Sequence, residues 1–159
     1  MTKKKKWEID GLSARISLNE AANKVLSRRI RILDLSIKKY FKDNSAENLH
    51  EVRIAIRRLR YNMEIFLSCF GKKKYLRFYK TIIHLQDLTG SKRDFDVLLE
   101  NLNLISTSEK LDVEDSIKNI IADKIVQLKV TLELELKEFS NCKELKDFQK
   151  LVIKQRSQS

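Results

Sequence analysis

The chain contains no proline, and its only glycines are Gly11, Gly71 and Gly90. With the two strongest helix breakers almost absent, the composition favours long helices joined by short connections. Only two cysteines, Cys69 and Cys142, are present. They are too few and too far apart for a disulfide framework or a cysteine zinc site, and they point to a reducing compartment. No stretch approaches the roughly 18 apolar residues that a membrane-crossing helix needs. Lys3 to Lys6 form a basic run with no apolar signal core behind it. Secretion is therefore not expected, and a cytoplasmic location is.

Histidine is equally scarce: His50 and His84 are the only two, and no carboxylate cluster accompanies either at ligand spacing. His50-Glu51 begins like a zinc-protease motif, but the fifth position is Ile54, so the metal pair is missing. There is no glycine-rich phosphate loop, and no nucleophile has a base beside it in sequence. Asp94 and Asp96 offer carboxylates suited to Mg²⁺, yet helix capping accounts for both more simply. No metal, no cofactor and no catalytic centre are expected. A phosphohydrolase built on Asp94 or Asp96 ranks below a pure binding function.

What the chain has in abundance is positive charge. Its 33 Lys and Arg against 22 Asp and Glu give +11 over 159 residues. The excess is uneven: residues 1–93 carry 23 basic and nine acidic side chains, net +14, whereas residues 94–159 carry ten and 13, net −3. A field of that kind implies a polyanionic partner.

The apolar pattern is helical almost throughout, with no strand signal. A first helix fits residues 18–41, with Leu26, Ile30, Leu33, Ile37 and Tyr40 on one face. A second fits 46–70, where Leu49, Val52, Ile56, Leu59, Met63, Phe66 and Phe70 step by three and four without a miss, as in a bundle seam. Ser45 is its expected N-cap and Gly71 its expected C-cap. A third helix fits 73–88 and is expected to stop at Gly90. Asp94 is the expected N-cap of a following helical segment over 94–105, and Asp96 complements its positive end. A long helix fits 109–139, with Ile117, Ile121, Ile125, Leu128, Leu132 and Leu136 on its apolar face. The predicted fold is all-α, an up-down bundle of four main helices. Residues 1–10 form a basic disordered tail, 11–142 the bundle, and 143–159 a short terminal helix with a frayed end.

The basic residues are ordered too. On the second helix His50, Arg53, Arg57 and Arg60 step by three, four and three, which keeps them on one face, about 100° round from the apolar seam. Arg58 points elsewhere, to the outer side. Lys24, Arg28 and Arg31 form a similar stripe on the first helix, continued by Lys38 and Lys42. Lys73, Arg77, Lys80 and His84 form one on the third. Like charges at these spacings repel, so an anion is expected opposite them. A single basic stripe is usually a solvated face, but three in one half of the chain point to a pooled anion-binding groove.

Two segments resemble a known family. Leu49-His50-Glu51-Val52-Arg53-Ile54-Ala55-Ile56-Arg57-Arg58-Leu59-Arg60 is similar to the signature helix of the CHAD domain, the conserved histidine α-helical domain. Gly90-Ser91-Lys92-Arg93-Asp94-Phe95-Asp96-Val97-Leu98-Leu99 resembles that family's second motif. The resemblance covers residues 12–139. It implies an all-helical, non-catalytic domain that binds inorganic polyphosphate through a basic surface, in some relatives at polyphosphate granules. By position it implies ligand-binding roles for His50, Arg53, Arg57, Arg58 and Arg60 from the first motif and Arg93 from the second. Lys24, Arg28, Arg31, Lys73, Arg77 and Lys80 correspond to the family's basic lining. Typical members contain two halves, each with its own motif, whereas this chain carries one copy. Either a homodimer restores the second half, or a single bundle presents an open groove. RNA or DNA binding through the same basic face is the alternative, with Tyr61 and Tyr79 as the aromatics available for base stacking.

Overall fold

In the computed structural model, which describes residues 12–108 and 114–154, the described residues are almost entirely helical and contain no strand. Five helices follow one another: α1 (Leu18–Lys42), α2 (Ala46–Ile65), α3 (Lys72–Ser108), α4 (Asp115–Asn141) and α5 (Lys143–Lys154), with a 3-10 turn, Leu67–Cys69, between α2 and α3. The sequence-predicted basic tail, with Lys3 to Lys6, lies outside the described residues.

Serine caps set the starts of the first two helices. The Ser17 hydroxyl accepts from the Glu20 amide at 3.1 Å and starts α1. Ser45 does the same for α2, accepting from the Asn48 amide at 3.3 Å. Asn48 is itself buried, and its Nδ2 donates to the Asp43 carbonyl at 2.6 Å and to Asp43 Oδ2 at 2.9 Å, so the tight α1–α2 corner leaves that amide satisfied.

The second helix ends earlier than its heptad pattern predicts. The chain leaves α-geometry at Phe66 and tightens into the 3-10 turn, which keeps Phe66, Cys69 and Phe70 turned into the core. Gly71 is therefore the residue before α3, not the cap of α2.

The larger departure is α3. Residues 72–108 form one continuous helix, where the sequence predicts a stop at Gly90 and a new start at Asp94. A single mid-helix glycine costs only about 1 kcal/mol relative to alanine, and no proline accompanies it. Helix-compatible residues on both sides carry the pattern through. Asp94 is consequently an interior residue, not an N-cap. Asp96 does not complement a helix end; it takes Lys92 Nζ at 2.7 Å, one turn back.

The core gathers the faces of all five helices. Leu26, Leu33, Ile37 and Tyr40 of α1 meet Val52, Ile56, Leu59 and Met63 of α2, with Tyr75, Phe78, Ile82 and Leu85 of α3 and Leu132 and Leu136 of α4. The short α5 adds Leu145, Phe148 and Val152 to the same core, within the stretch that the sequence assigns to a short terminal helix and frayed end. Phe78 stacks on Phe148 at 4.3 Å between centroids, and Phe139 lies 6.0 Å from Phe78 on another side, so an aromatic cluster ties α3, α4 and α5 together. The Tyr75 hydroxyl donates to the Met63 carbonyl at 2.6 Å, and that of Tyr40 to Glu133 at 3.2 Å, joining α2 to α3 and α1 to α4.

Burial stops part way along α3. The last buried residue on that helix is Thr89. Beyond it α3 and α4 run on as a helical pair in which, among the described residues, only Ile121 is buried, while Leu98, Leu104, Ile105, Ile117 and Ile120 are exposed.

Candidate anion-binding groove

Antiparallel packing of α2 and α3 brings the two sequence motifs together. Each residue gained along α2 is matched by one lost along α3. His50 thus lies across from Arg93 and Asp96, and Arg57 and Tyr61 lie across from Gln86 and Asp87. A groove follows this line. Its upper part, about 220 Å³, is lined by Glu47, His50 and Arg53 of α2 and by Thr89, Arg93 and Asp96 of α3. The lower part, about 490 Å³ and more open, is lined by Arg53, Arg57 and Tyr61 opposite Asp87, Gly90, Ser91 and Asp94. Arg53 belongs to both parts.

The two walls differ in charge. The α2 wall is cationic apart from Glu47. The α3 wall contributes Arg93 but also Asp87, Asp94 and Asp96. Among the described residues the Arg53 side chain forms no ion pair within 4 Å, and neither does that of Arg57. Arg57 instead donates from Nη2 to the Tyr61 hydroxyl at 3.4 Å, and its guanidinium lies 5.6 Å from the Tyr61 ring centroid. Asp96 is occupied by Lys92. Arg93 reaches Glu100 at 3.7 Å. His50 is exposed, and its side chain has no hydrogen-bond partner among the described residues.

Arg60 ends the stripe differently. Its Nε donates to Glu64 Oε1 at 2.9 Å, and the Tyr79 hydroxyl of α3 donates to the same oxygen at 2.6 Å. The Tyr79 bond and Arg60 together hold the Glu64 carboxyl below its ordinary pKa. Tyr79, one of the two sequence-flagged aromatics, is thus spent on structure. Tyr61 remains 44% exposed in the groove, with Arg60 on it as well, 5.7 Å from the centroid.

The other predicted residues are distributed round the bundle. On α1, Lys24, Arg28 and Arg31 point almost opposite the buried face by the roughly 100° helical step. Lys24 pairs with Glu20 at 2.8 Å, and Arg31 borders a separate cleft against α5 with Asp34 and Gln149. On α3, Lys73, Arg77 and Lys80 are exposed on the outer side, about 150° from the core direction. His84 on that side faces Glu135 of α4 at 3.5 Å. Arg58 sits on the edge of α2 that faces α1. The three stripes are therefore not pooled: the α2 stripe alone meets the second motif across the groove.

Sequence reasoning missed Arg29, which is half-buried where α1 meets α2. Its only sequence signal was its place on the flank of the apolar face, between Leu26 and Ile30. It missed the acidic side chain of Asp87 in the groove as well, because Asp87 joins the site only through the pairing of α2 with α3. Among the described residues no group of three or more His, Cys, Asp and Glu side chains is arranged to hold a metal ion. None of the helices in the described residues is long and apolar enough to cross a membrane.

The family model of the CHAD domain matches residues 3–103, more than half of the chain. The match takes in α1, α2, the groove and α3 through both motifs. No solved structure matches the chain.

Proposed function

We propose, from the premise that this chain belongs to the CHAD domain family, that it is a non-catalytic module that binds inorganic polyphosphate along the α2 wall of the groove. The observation that carries this reading is the state of Arg53 and Arg57. Two guanidiniums one helical turn apart line one groove with His50 and Arg93, and neither meets a carboxylate within ion-pair distance among the described residues. A planar guanidinium donates paired hydrogen bonds to phosphate oxygens, and successive turns of α2 present such donors in a row. A phosphate chain fits that row because it repeats its charge at every unit. The +14 balance of residues 1–93 adds long-range attraction.

The acidic wall shapes the expectation. Asp87 and Asp94 repel an anion lying deep in the lower groove. The chain therefore lies toward the α2 lip, and binding strengthens with polymer length and weakens with salt, as for phosphate backbones in general. Titration with polyphosphates of several lengths at two salt concentrations tests this. Tight, length-dependent and salt-sensitive binding is expected; no binding of long chains at low salt rejects the reading.

A second reading draws on Tyr61. An exposed ring beside Arg53 and Arg57 provides a surface for stacking a base of single-stranded RNA or DNA. Polyphosphate is favoured because both guanidiniums of Arg57 and Arg60 already lie against that ring. Competition separates the two: polyphosphate should displace a labelled oligonucleotide far better than the reverse.

A further inference from the structure

The fourth helix is apolar on two sides. Ile121, Leu132, Leu136 and Phe139 form its buried side. By the roughly 100° helical step, Ile120, Val126, Val130 and Leu134 lie within an arc of about 120° on the opposite side. Each of these four is more than half exposed. An outer helix of a globular bundle ordinarily keeps that side polar. Single exposed aliphatics need no explanation, but four on one stripe mark a surface that another apolar surface covers.

The charges along the stripe identify the occupant. Asp123 and Lys137 lie on the same outer arc, seven residues to either side of Val130. Both are exposed, and neither forms an ion pair among the described residues. The Lys137 ammonium lies over the Phe41 ring of α1, 5.5 Å from its centroid, a contact that leaves its charge without a carboxylate. A second α4 laid antiparallel, about a two-fold axis at Val130, completes the pattern. Asp123 then meets the partner's Lys137, and Lys137 meets the partner's Asp123. Val126 meets the partner's Leu134, and Val130 meets its own copy. The stripe is therefore complementary to itself in both shape and sign, as an isologous contact requires.

Net charge favours the same face. The chain carries +11, so two copies repel one another through their basic surfaces. Over Asp115–Asn141, α4 carries four lysines and five carboxylates, and two copies can approach there without that repulsion.

We propose that the outer face of α4 docks a second copy of this chain, packed antiparallel about a two-fold axis at Val130. The contact is one helix wide, so the pair is a concentration-dependent equilibrium and not a permanent dimer. No residue of α4 lines the anion groove, so both grooves stay open in the pair. The docking surface does not depend on the polyphosphate reading.

The test is sedimentation equilibrium of the full chain over a series of protein concentrations, without anion. The mass should rise from the 18.8 kDa of one chain toward twice that value. Val130→Lys sets two like charges against each other on the axis and should weaken association at least tenfold. Val130 is exposed, so far-UV circular dichroism of the variant should match the wild type. Charge reversal tests the register. Asp123→Lys and Lys137→Asp should each weaken the pair, and the double variant should recover it, because both ion pairs re-form with their signs exchanged. A single 18.8 kDa species up to the high-micromolar range would overturn the proposal and leave the stripe to a different protein. A dimer that survives Val130→Lys would overturn it by placing the contact on another face. A double variant no better than the single ones would overturn the antiparallel pairing.

Discussion

The Tyr79 hydroxyl stands 2.6 Å from Glu64 Oε1, the oxygen that also receives Arg60 Nε at 2.9 Å. One carboxylate thus pins the last arginine of the α2 stripe and ties α2 to α3 near their connecting turn. Because Glu64 is well exposed, the pair adds little stability, on the order of 0–1 kcal/mol. Its effect on binding is larger. Glu64→Gln removes a negative charge and frees Arg60, so affinity for long-chain polyphosphate should rise about two- to fivefold at low salt, measured by calorimetric titration. Unchanged or weaker binding would mean that Arg60 lies outside the anion path.

Neutralising the stripe itself should have the opposite sign. Arg53→Gln/Arg57→Gln is expected to weaken polyphosphate binding at least tenfold. It should also flatten the dependence of log affinity on log salt by about one to two units, since fewer phosphate charges are then matched. Far-UV circular dichroism should stay at the wild-type level, because both side chains face the groove and neither belongs to the core. A variant that binds normally would place the phosphate chain elsewhere.

Gly90 offers a direct test of the continuity of α3. A Cβ built at this position meets no atom within 4 Å. Gly90→Ala should stabilise the protein by about 0.5–1 kcal/mol in urea unfolding, through the lower entropy of the unfolded chain and better helix propensity. Destabilisation would reveal a break in the helix at the point where the sequence predicts one.

The aromatic cluster predicts that α5 is indispensable. Phe148 is fully buried against Phe78, Tyr75 and Phe70. Phe148→Ala should cost about 3–5 kcal/mol, the usual range for an enclosed phenylalanine. Loss of α5 alone, with the remaining helices unaffected, would contradict the shared core.

Alkaline pH should unfold the protein through its tyrosines. Burial first, then Glu133, pushes the Tyr40 hydroxyl up to about 12, and burial raises Tyr75 further still. Both are protonated in the fold beyond the point at which an unfolded tyrosine ionises, near pH 10. The stability they protect is complete below about pH 10 and is lost as pH climbs through their raised values, at up to about 1.4 kcal/mol per pH unit for each group. Urea midpoints measured from about pH 9 to pH 12 should fall accordingly. Tyr40→Phe should show a shallower fall than the wild type, and an identical slope would exclude Tyr40 as a source.

Periodicity made the bundle legible. Every apolar position that defined the first two helices in the sequence, from Leu26 to Tyr40 and from Leu49 to Phe70, is buried. Ser45 caps α2 as its sequence indicates. Punctuation misled where it was weakest: Gly90 with Asp94 reads as a stop and a start, but one glycine without proline lacks the energy to end a helix that two sides favour. The groove was half visible. The spacing of His50, Arg53 and Arg57 named one wall, and the second motif named Arg93. The acidic character of the facing wall, like the separation of the α1 and α3 stripes from it, depends on which edges of the helices pack together, and wheel positions on single helices do not encode that. Arg29 escaped because a charge set among apolar neighbours reads as part of the helix flank until a second helix encloses it.

The uninterrupted α3 has a mechanical consequence. At about 1.5 Å per residue, α3 runs on for nearly 30 Å beyond Thr89, its last buried residue, flanked by α2 as far as Asp96 and by α4 beyond that. The groove runs across the root of that extension, with Arg53 on the fixed side and Arg93 on the projecting side. A rod is stressed most where it leaves its support. A polyanion that bridged those two arginines, as proposed above, would act there as a strut and stiffen the helical pair from its root.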